Sequence, residues 1–449
     1  MPEMNPITVI ATDLVTPLGA YLRLRPEDGG ASFLLESVER GRLGRHSFVG
    51  YGSRLVDLDE AEACGEPVVG YLAYDYAARL EPSVELPDAG AGLPESRFVI
   101  ADVLVRFDHV TGLADVLCGD EDEISAKLAG QLGPLPSGTR RNGHGRGTLR
   151  SPGRFEYQRA VERAKRHIRA GDAFQIVLSQ RAERPTTASA LQLYRALRRV
   201  NPSPYLFLLE LDGLALVGSS PETLVKAEGG RASLNPIAGT THPGEGDAER
   251  LLASEKDRAE HVMLVDLGRN DLSRVCVPGT VQVERLLEPE RFSHVTHLVS
   301  EVTGTLKDGV EAFDLLRACF PAGTVSGAPK VRAMQLISDL EGVRRGPYAG
   351  AVGYALPEAS LATPLSGGAV HPRRRLNRPV DTPEPDTFTV GATLDTCIAI
   401  RTIVLRDGVA HLQAGAGIVA DSDAAAEHEE CLRKLAALEL AIGLAEVSS

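Results

Sequence analysis

The sequence predicts an α+β or layered α/β protein, because runs of short β-like segments are interrupted by single helices and not by a strict strand–helix–strand repeat. Composition agrees: the 449-residue chain is 43% hydrophobic and 24% charged, enough for one large or two intimately packed domains. A shift towards Gly, Pro, Ser, Arg and Asn over residues 133–153 predicts a linker between a first domain, 1–132, and a second, 154–449.

Taken in order, the first domain carries β-like runs at 31–35, 68–76 and 98–107, the last dense in β-branched residues as a buried strand would be. Beyond the linker, Ser151-Pro152 opens a helix over 155–170 that Gly171 ends. A strand at 174–181, a helix at 188–200 and a hairpin around Asp212-Gly213 follow. Strands are expected at 281–286 and 297–304, and helices at 311–320 and 329–340. Strands dominate again over 348–354 and 395–420, before a closing helix from about Ala424. Residues 355–390, rich in Pro and charge without periodicity, read as an inserted surface loop.

The net charge of −13 argues against nucleic acid or an anionic membrane as the main partner, since both need a basic face. No long uncharged apolar run or basic-then-apolar N-terminus occurs, so a cytoplasmic protein is expected. The 6 cysteines are scattered without CxxC spacing, as reduced thiols would be.

Two acidic pairs carry the chemical interest. Asp257 and Glu260 lie three apart on one expected helix, with His261 beside them, and Glu427 and Glu430 repeat that spacing on the closing helix, where Lys434 follows by one turn. Such pairs are usually solvated helix faces. Together, however, two helical carboxylate pairs can hold one hard cation, and Mg²⁺ with its oxygen preference suits them better than a soft metal. Arg401 puts a guanidinium in an apolar strand, where burial without a carboxylate is costly. Gly415-Ala416-Gly417 allows backbone N–H groups to approach an anion. Residues 323–330 fail the spacing of a phosphate loop, which leaves Thr324 as a polar contact. His297, at the start of a β-branched strand, suits either a structural or a proton-moving role.

These segments resemble the chorismate-utilising enzymes, and within them the anthranilate synthase large-subunit branch. The resemblance rests on residues 174–181, 201–205, 218–223, 235–240, 259–271, 297–300, 323–335, 346–354, 394–401 and 415–421, in order across 151–449. It implies the family's fold of large β-sheets flanked by helices, and Mg²⁺ held by Glu260 and Glu430 with Asp257 and Glu427 as neighbours. It implies chorismate held by Gly239, Thr240, Tyr348, Arg401 and the Gly415, Ala416 and Gly417 backbone, with His297 and Thr324 assisting proton transfer. The implied reaction is amination of chorismate at C2 and loss of pyruvate. Gln175 stands where the isochorismate and salicylate synthases carry a water-activating lysine, and Ala238 where aminodeoxychorismate synthases carry an attacking one; ammonia is therefore the expected nucleophile. The chain shows no Cys-His-Glu glutaminase domain, so a separate glutamine amidotransferase and a hetero-oligomer are expected. Alternatives are a 2-amino-2-deoxyisochorismate synthase and a non-catalytic binding paralogue. Leu35, Glu36, Ser37, Pro204, Tyr205 and Leu206 match the family's regulatory tryptophan pocket, and the chain itself holds 0 tryptophans.

Overall fold

The computed structural model describes residues 9–37, 45–130, 147–241, 244, 246–291, 296–357 and 393–447. Two antiparallel sheets form its centre, of 12 and 10 strands among the described residues. They pack face to face through Phe33, Leu104, Phe207 and Leu216 of the first against Val69, Tyr71, Val99 and Val352 of the second. Each sheet buries its other face under helices. Pro17–Leu24, Ala190–Val200 and Ala424–Val447 cover the first, and Leu58–Cys64, Glu255–Ser273 and Ala312–Cys319 the second. The result is a helix–sheet–sheet–helix stack, the layered class expected from the sequence.

The apolar run 98–107 is two strands, not one. Ser96–Ile100 pairs in the second sheet and Val103–Asp108 in the first, so the chain changes sheets at Ala101-Asp102. Both step residues are tied to neighbouring strands: Ala101 N–H donates to Pro67 O (2.9 Å) and Asp102 N–H to Tyr51 O (3.0 Å). Apolar periodicity cannot reveal this crossing, because both strands are buried on both faces.

The segment 9–130 supplies strands to both sheets. Ser32–Glu36 pairs with Tyr205–Leu211, and Val68–Leu72 pairs with Ala351–Leu356. The compositional change at 133–153 therefore divides the chain without dividing the sheets; most of that stretch, and nearly all of the expected 355–390 insertion, lies outside the described residues. No helix among the described residues is long and apolar enough to cross a membrane.

The strands that carry the site are Gln175–Pro185 and Val409–Ile418, paired antiparallel from Ile176↔Ile418 to Pro185↔Val409. The helix Arg154–Arg169 is capped by Gly153 and the helix Ala190–Val200 by Ser189, close to the expected starts. The closing helix starts under Asp423, whose Oδ1 accepts from Ala426 N–H at 2.8 Å.

Because strands of the first 130 residues complete both sheets, residues 147–449 expressed alone are expected to aggregate or to lack a cooperative thermal transition, exposing the edges at 205–211 and 351–356. Size-exclusion chromatography and circular dichroism check this. A monodisperse fragment with the full chain's melting temperature would contradict it.

Candidate active site

The Gln175 end of the 175–185 strand and the Ile418 end of the 409–418 strand lie between the 255–273 and 424–447 helices; the space that they border with Arg401 is the candidate cleft, and the antiparallel register fixes what faces it. Lys434 Nζ donates to Gly415 O at 2.7 Å. The Gly415 polar groups therefore sit on the strand edge away from its partner Ser179, and those of Gly417, two residues on, share that edge. The neighbouring strand Thr402–Arg406 pairs only as far as Ile403↔Leu412, which leaves this edge open for an anion. The glycines also make room. A Cβ at Gly415 would fall 2.8 Å from the Tyr348 hydroxyl, and one at Gly417 would fall 2.4 Å from Gln175 Nε2. Ala416, between them, is buried and faces the opposite side.

Glu260, on the 255–273 helix, accepts from Gln175 Nε2 at 2.9 Å and so faces the same strand end. Glu430, on the closing helix, pairs with Lys434 at 2.7 Å, and that ammonium also holds Gly415 O. The two helices thus approach one strand end from different directions. Glu427 precedes Glu430 by one turn; Asp257 lies on the 255–273 helix with a side chain outside the described residues. No cluster of three or more potential metal ligands forms among the described residues. His261 is a correction: expected beside the carboxylates, it is fully buried and faces Ser300 Oγ at 2.6 Å, because consecutive helical residues point a hundred degrees apart.

Arg401 is not within a strand, as its apolar neighbours suggested, but in the bend between Thr393–Ile398 and Thr402–Arg406, where it adopts a left-handed backbone, φ 52°, uncommon outside glycine. Burial pulls its pKa down, while the fields of Tyr348 and Glu430 push it up. Among the described residues no carboxylate makes an ion pair with it. A largely buried guanidinium beside an open strand edge is a site for a planar carboxylate. Tyr348 is buried and its phenol is pushed up by desolvation, so it stays a neutral donor.

His297 Nδ1 lies 2.9 Å from the carbonyl of Gly239, which only accepts, so Nδ1 carries the proton and Nε2 is the basic nitrogen. Burial first, then Arg401, lowers its pKa against the bond to Gly239, so the ring is neutral near neutral pH. Gly239 sits at a bulge with φ 70°, which turns its carbonyl to the ring; Thr240 pairs with His297 across the strands, its side chain outside the described residues.

Sequence reasoning missed Glu222. Burial pushes its carboxyl up to about 7, opposed by Thr324 and by the more distant Lys434. The residue is partly exposed, while dense protein surrounds its carboxyl. The buried Thr324 Oγ1 lies beside it and makes no hydrogen bond of good geometry among the described residues. A carboxyl protonated near neutral pH can give a proton to a leaving oxygen. The available signal was an acidic residue directly after Pro221 at the end of the apolar strand Leu214–Ser220.

The six residues expected to form a regulatory pocket do line one cavity. Leu35, Glu36, Ser37, Pro204, Tyr205 and Leu206 share it with Phe48, Lys226, Tyr354 and Asp395. Burial lifts Asp395 to about 6 against the pull of Lys226, and Tyr205 OH donates to its Oδ1 at 3.2 Å.

Residues 44–364 and 387–439 match the family profile described as chorismate binding enzyme. The break falls within the segment read as an insertion. Anthranilate synthase component 1 of Streptomyces coelicolor is 42% identical, covering 97% of this chain and 88% of its own. That of Thermus thermophilus is 40% identical, covering 97% and 96%. The crystal structure of anthranilate synthase component I from Streptococcus pneumoniae superposes with a TM-score of 0.72 at 30% identity, covering 97% of this chain and 100% of that one. MenF, the menaquinone-specific isochorismate synthase of Escherichia coli, shares the fold, with a TM-score of 0.71 at 20% identity over 97% and 95%.

Glu222 makes stability depend on pH. Its folded pKa of about 7 exceeds its ordinary 4.5, so the folded chain binds more protons than the unfolded one between those values, and stability falls as pH rises through that window. Glu222→Gln removes this loss. The melting temperature of the variant relative to the native chain is expected to be higher at pH 8 than at pH 4, by differential scanning calorimetry; an equal difference at both would contradict the shift.

Proposed function

We infer the activity of this chain from the premise that it belongs to the chorismate binding enzyme family: it is an anthranilate synthase large subunit, a lyase that aminates chorismate at C2 and expels pyruvate to give anthranilate. The observation that best supports the site is Arg401, a largely buried guanidinium without a carboxylate partner among the described residues, beside the open Gly415–Gly417 edge. Chorismate brings the carboxylates that such a site lacks.

We further propose these roles. Arg401, Tyr348 and the Gly415–Gly417 backbone hold one carboxylate of chorismate, while Gly239 and Thr240 border the ring. Glu260 and Glu430, with Asp257 and Glu427 beside them, would hold Mg²⁺. They fit it: both are hard oxygen donors at one strand end, Gln175 and Lys434 each engage only one oxygen, and Mg²⁺ ordinarily takes one or two protein carboxylates and fills its shell with water and substrate. Bound there, Mg²⁺ would neutralise the ring carboxylate and polarise the adjacent ring.

As ammonia bonds C2, the ring double bonds shift and the C4–O bond breaks. Glu222, protonated near neutral pH, gives its proton to the departing oxygen, which leaves as water; Thr324 steadies that carboxyl. The ammonium formed at C2 loses a proton to solvent. His297 Nε2 is then the base for the remaining C2 proton, and that electron pair aromatises the ring as the C3–O bond breaks and the pyruvate enolate leaves, taking a proton from solvent to become pyruvate. Gln175 has no basic nitrogen with which to activate water, which favours ammonia as the nucleophile.

Ammonia would come from a separate glutamine amidotransferase subunit in a hetero-oligomer. The cavity lined by Leu35, Glu36, Ser37 and 204–206 suits free L-tryptophan as an effector: Phe48 and Tyr354 offer aromatic faces, with ring centroids 4.3 Å apart, and Lys226, Asp395 and Glu36 offer charge for its two ionic groups.

Purified chain with chorismate, Mg²⁺ and an ammonium salt is expected to produce anthranilate fluorescence, and Glu260→Gln or Glu430→Gln to lower turnover at saturating Mg²⁺ by about 100-fold or more. Chorismate binding without anthranilate would overturn the activity, mass spectrometry of an aminated product retaining the enolpyruvyl group would assign an aborted reaction, and near-native turnover in both variants would overturn the metal assignment. Tryptophan is expected to inhibit the native chain and not Ser37→Trp, which fills the cavity; unchanged turnover across a tryptophan titration would count against that effector.

A further inference from the structure

Behind the cleft lies an ion pair that the chemistry above does not use. Arg345 and Glu341 have side chains only 1% and 6% exposed and meet in two parallel contacts, Nη2 to Oε1 at 2.7 Å and Nε to Oε2 at 2.9 Å. The guanidinium also donates through Nη1 to Val325 O and through Nη2 to Val177 O, each at 2.8 Å. Its plane lies over the Tyr74 ring, with Cζ 4.5 Å from the centroid, and Cζ is 5.7 Å from that of Tyr348. Glu341 Oε1 in turn accepts from Ser179 N–H and Ser179 Oγ, each at 2.8 Å, and Gln413 Nε2 donates to that hydroxyl at 2.8 Å. Asp75 fixes the turn itself, accepting from the N–H groups of Arg345 and Gly346, each at 3.0 Å.

Several of these bonds end one to three residues from a group that faces the cleft. Val325 follows Thr324, Val177 lies two residues beyond Gln175, and Gln413 lies two residues before Gly415. Tyr348 stands three residues beyond Arg345. Three pieces of chain, the paired 175–185 and 409–418 strands, the Gly323–Ser326 turn and the 346–350 turn, thus share one hub.

A fully buried ion pair is a poor way to gain stability, because desolvation cancels most of the Coulombic gain, and well-packed apolar replacements are often as stable. What the fork adds is direction: its donors accept only one arrangement of these carbonyls. We propose that Arg345 and Glu341 are positioning residues for the reaction, holding Tyr348, Thr324 and the Gly415–Gly417 edge in register with one another. This rests on the reading of the cleft as the chorismate site.

The test replaces both charges at once, in Glu341→Leu/Arg345→Met, with Arg345→Lys as the conservative variant. The double variant is expected to melt cooperatively near the native temperature and to lose about 100-fold in kcat for ammonia-dependent turnover, the scale of a misplacement of about 1 Å. KM for chorismate is expected to change by less than about threefold. Arg345→Lys, which keeps the charge without the fork, is expected to recover about tenfold of that loss. A folded double variant with native kcat overturns the proposal. Should the double variant not fold, Ser179→Ala decides: it cuts the link from Glu341 to Gln413 while leaving the ion pair, and is expected to lower kcat by about five- to tenfold at an unchanged melting temperature, whereas native kcat overturns the proposal. The native chain is assayed alongside, so that absence of anthranilate there counts against the activity, and native-like variants of an active chain count against the positioning role alone.

Discussion

The antiparallel register between 175–185 and 409–418 is the constraint on which the cleft depends. It sets Gly415 opposite Ser179 and Gly417 opposite Val177, and thereby decides which backbone groups face a ligand and which are spent in the ladder. A one-residue slip would turn the Gly415 carbonyl from Lys434 towards the partner strand and carry the Gly417 cradle away from Gln175. The glycines are required by this arrangement, since Tyr348 and Gln175 occupy the space their side chains would take.

Charge in the cleft follows from what the fold leaves unpaired. Glu430 has Lys434 and Glu260 has an amide, but Arg401 has no carboxylate partner among the described residues, and Glu222 has only a hydroxyl and a distant ammonium against its burial. The cost of burying the Arg401 guanidinium is met by the fold, and an anionic ligand would offset it. Burial raises the Glu222 carboxyl and lowers the His297 imidazole, and the acid and base roles proposed for them rest on these opposite shifts.

Much of this was legible in the sequence. The helix at 154–169 announced itself through Ser151-Pro152 and Gly171, and the hairpin at 205–220 through Asp212-Gly213. Local patterns gave no access to long-range placement. The buried run 98–107 could not show that its halves belong to different sheets, and the composition of 133–153 could not show that strands from both sides of it interleave. Site residues with an unusual type in their place, such as Arg401 in an apolar stretch, were visible even though that stretch proves to be a turn between two strands at this point; Glu222 was not, because its pKa is set by burial and by Thr324, about a hundred residues away. His261 shows the converse, a polar residue beside a carboxylate in sequence that the helix turns into the core.

The central claim is that the 255–273 and 424–447 helices converge their carboxylates on one cation that faces the substrate carboxylate. Crystals grown with Mn²⁺ and benzoate, and measured at the manganese absorption edge, test it most directly. The account predicts an anomalous peak bridged by Glu260 and Glu430, with the benzoate carboxylate between that peak and Arg401. Benzoate bound in the cleft with no such peak, and with Glu430 still paired to Lys434 and Glu260 to Gln175, would contradict it.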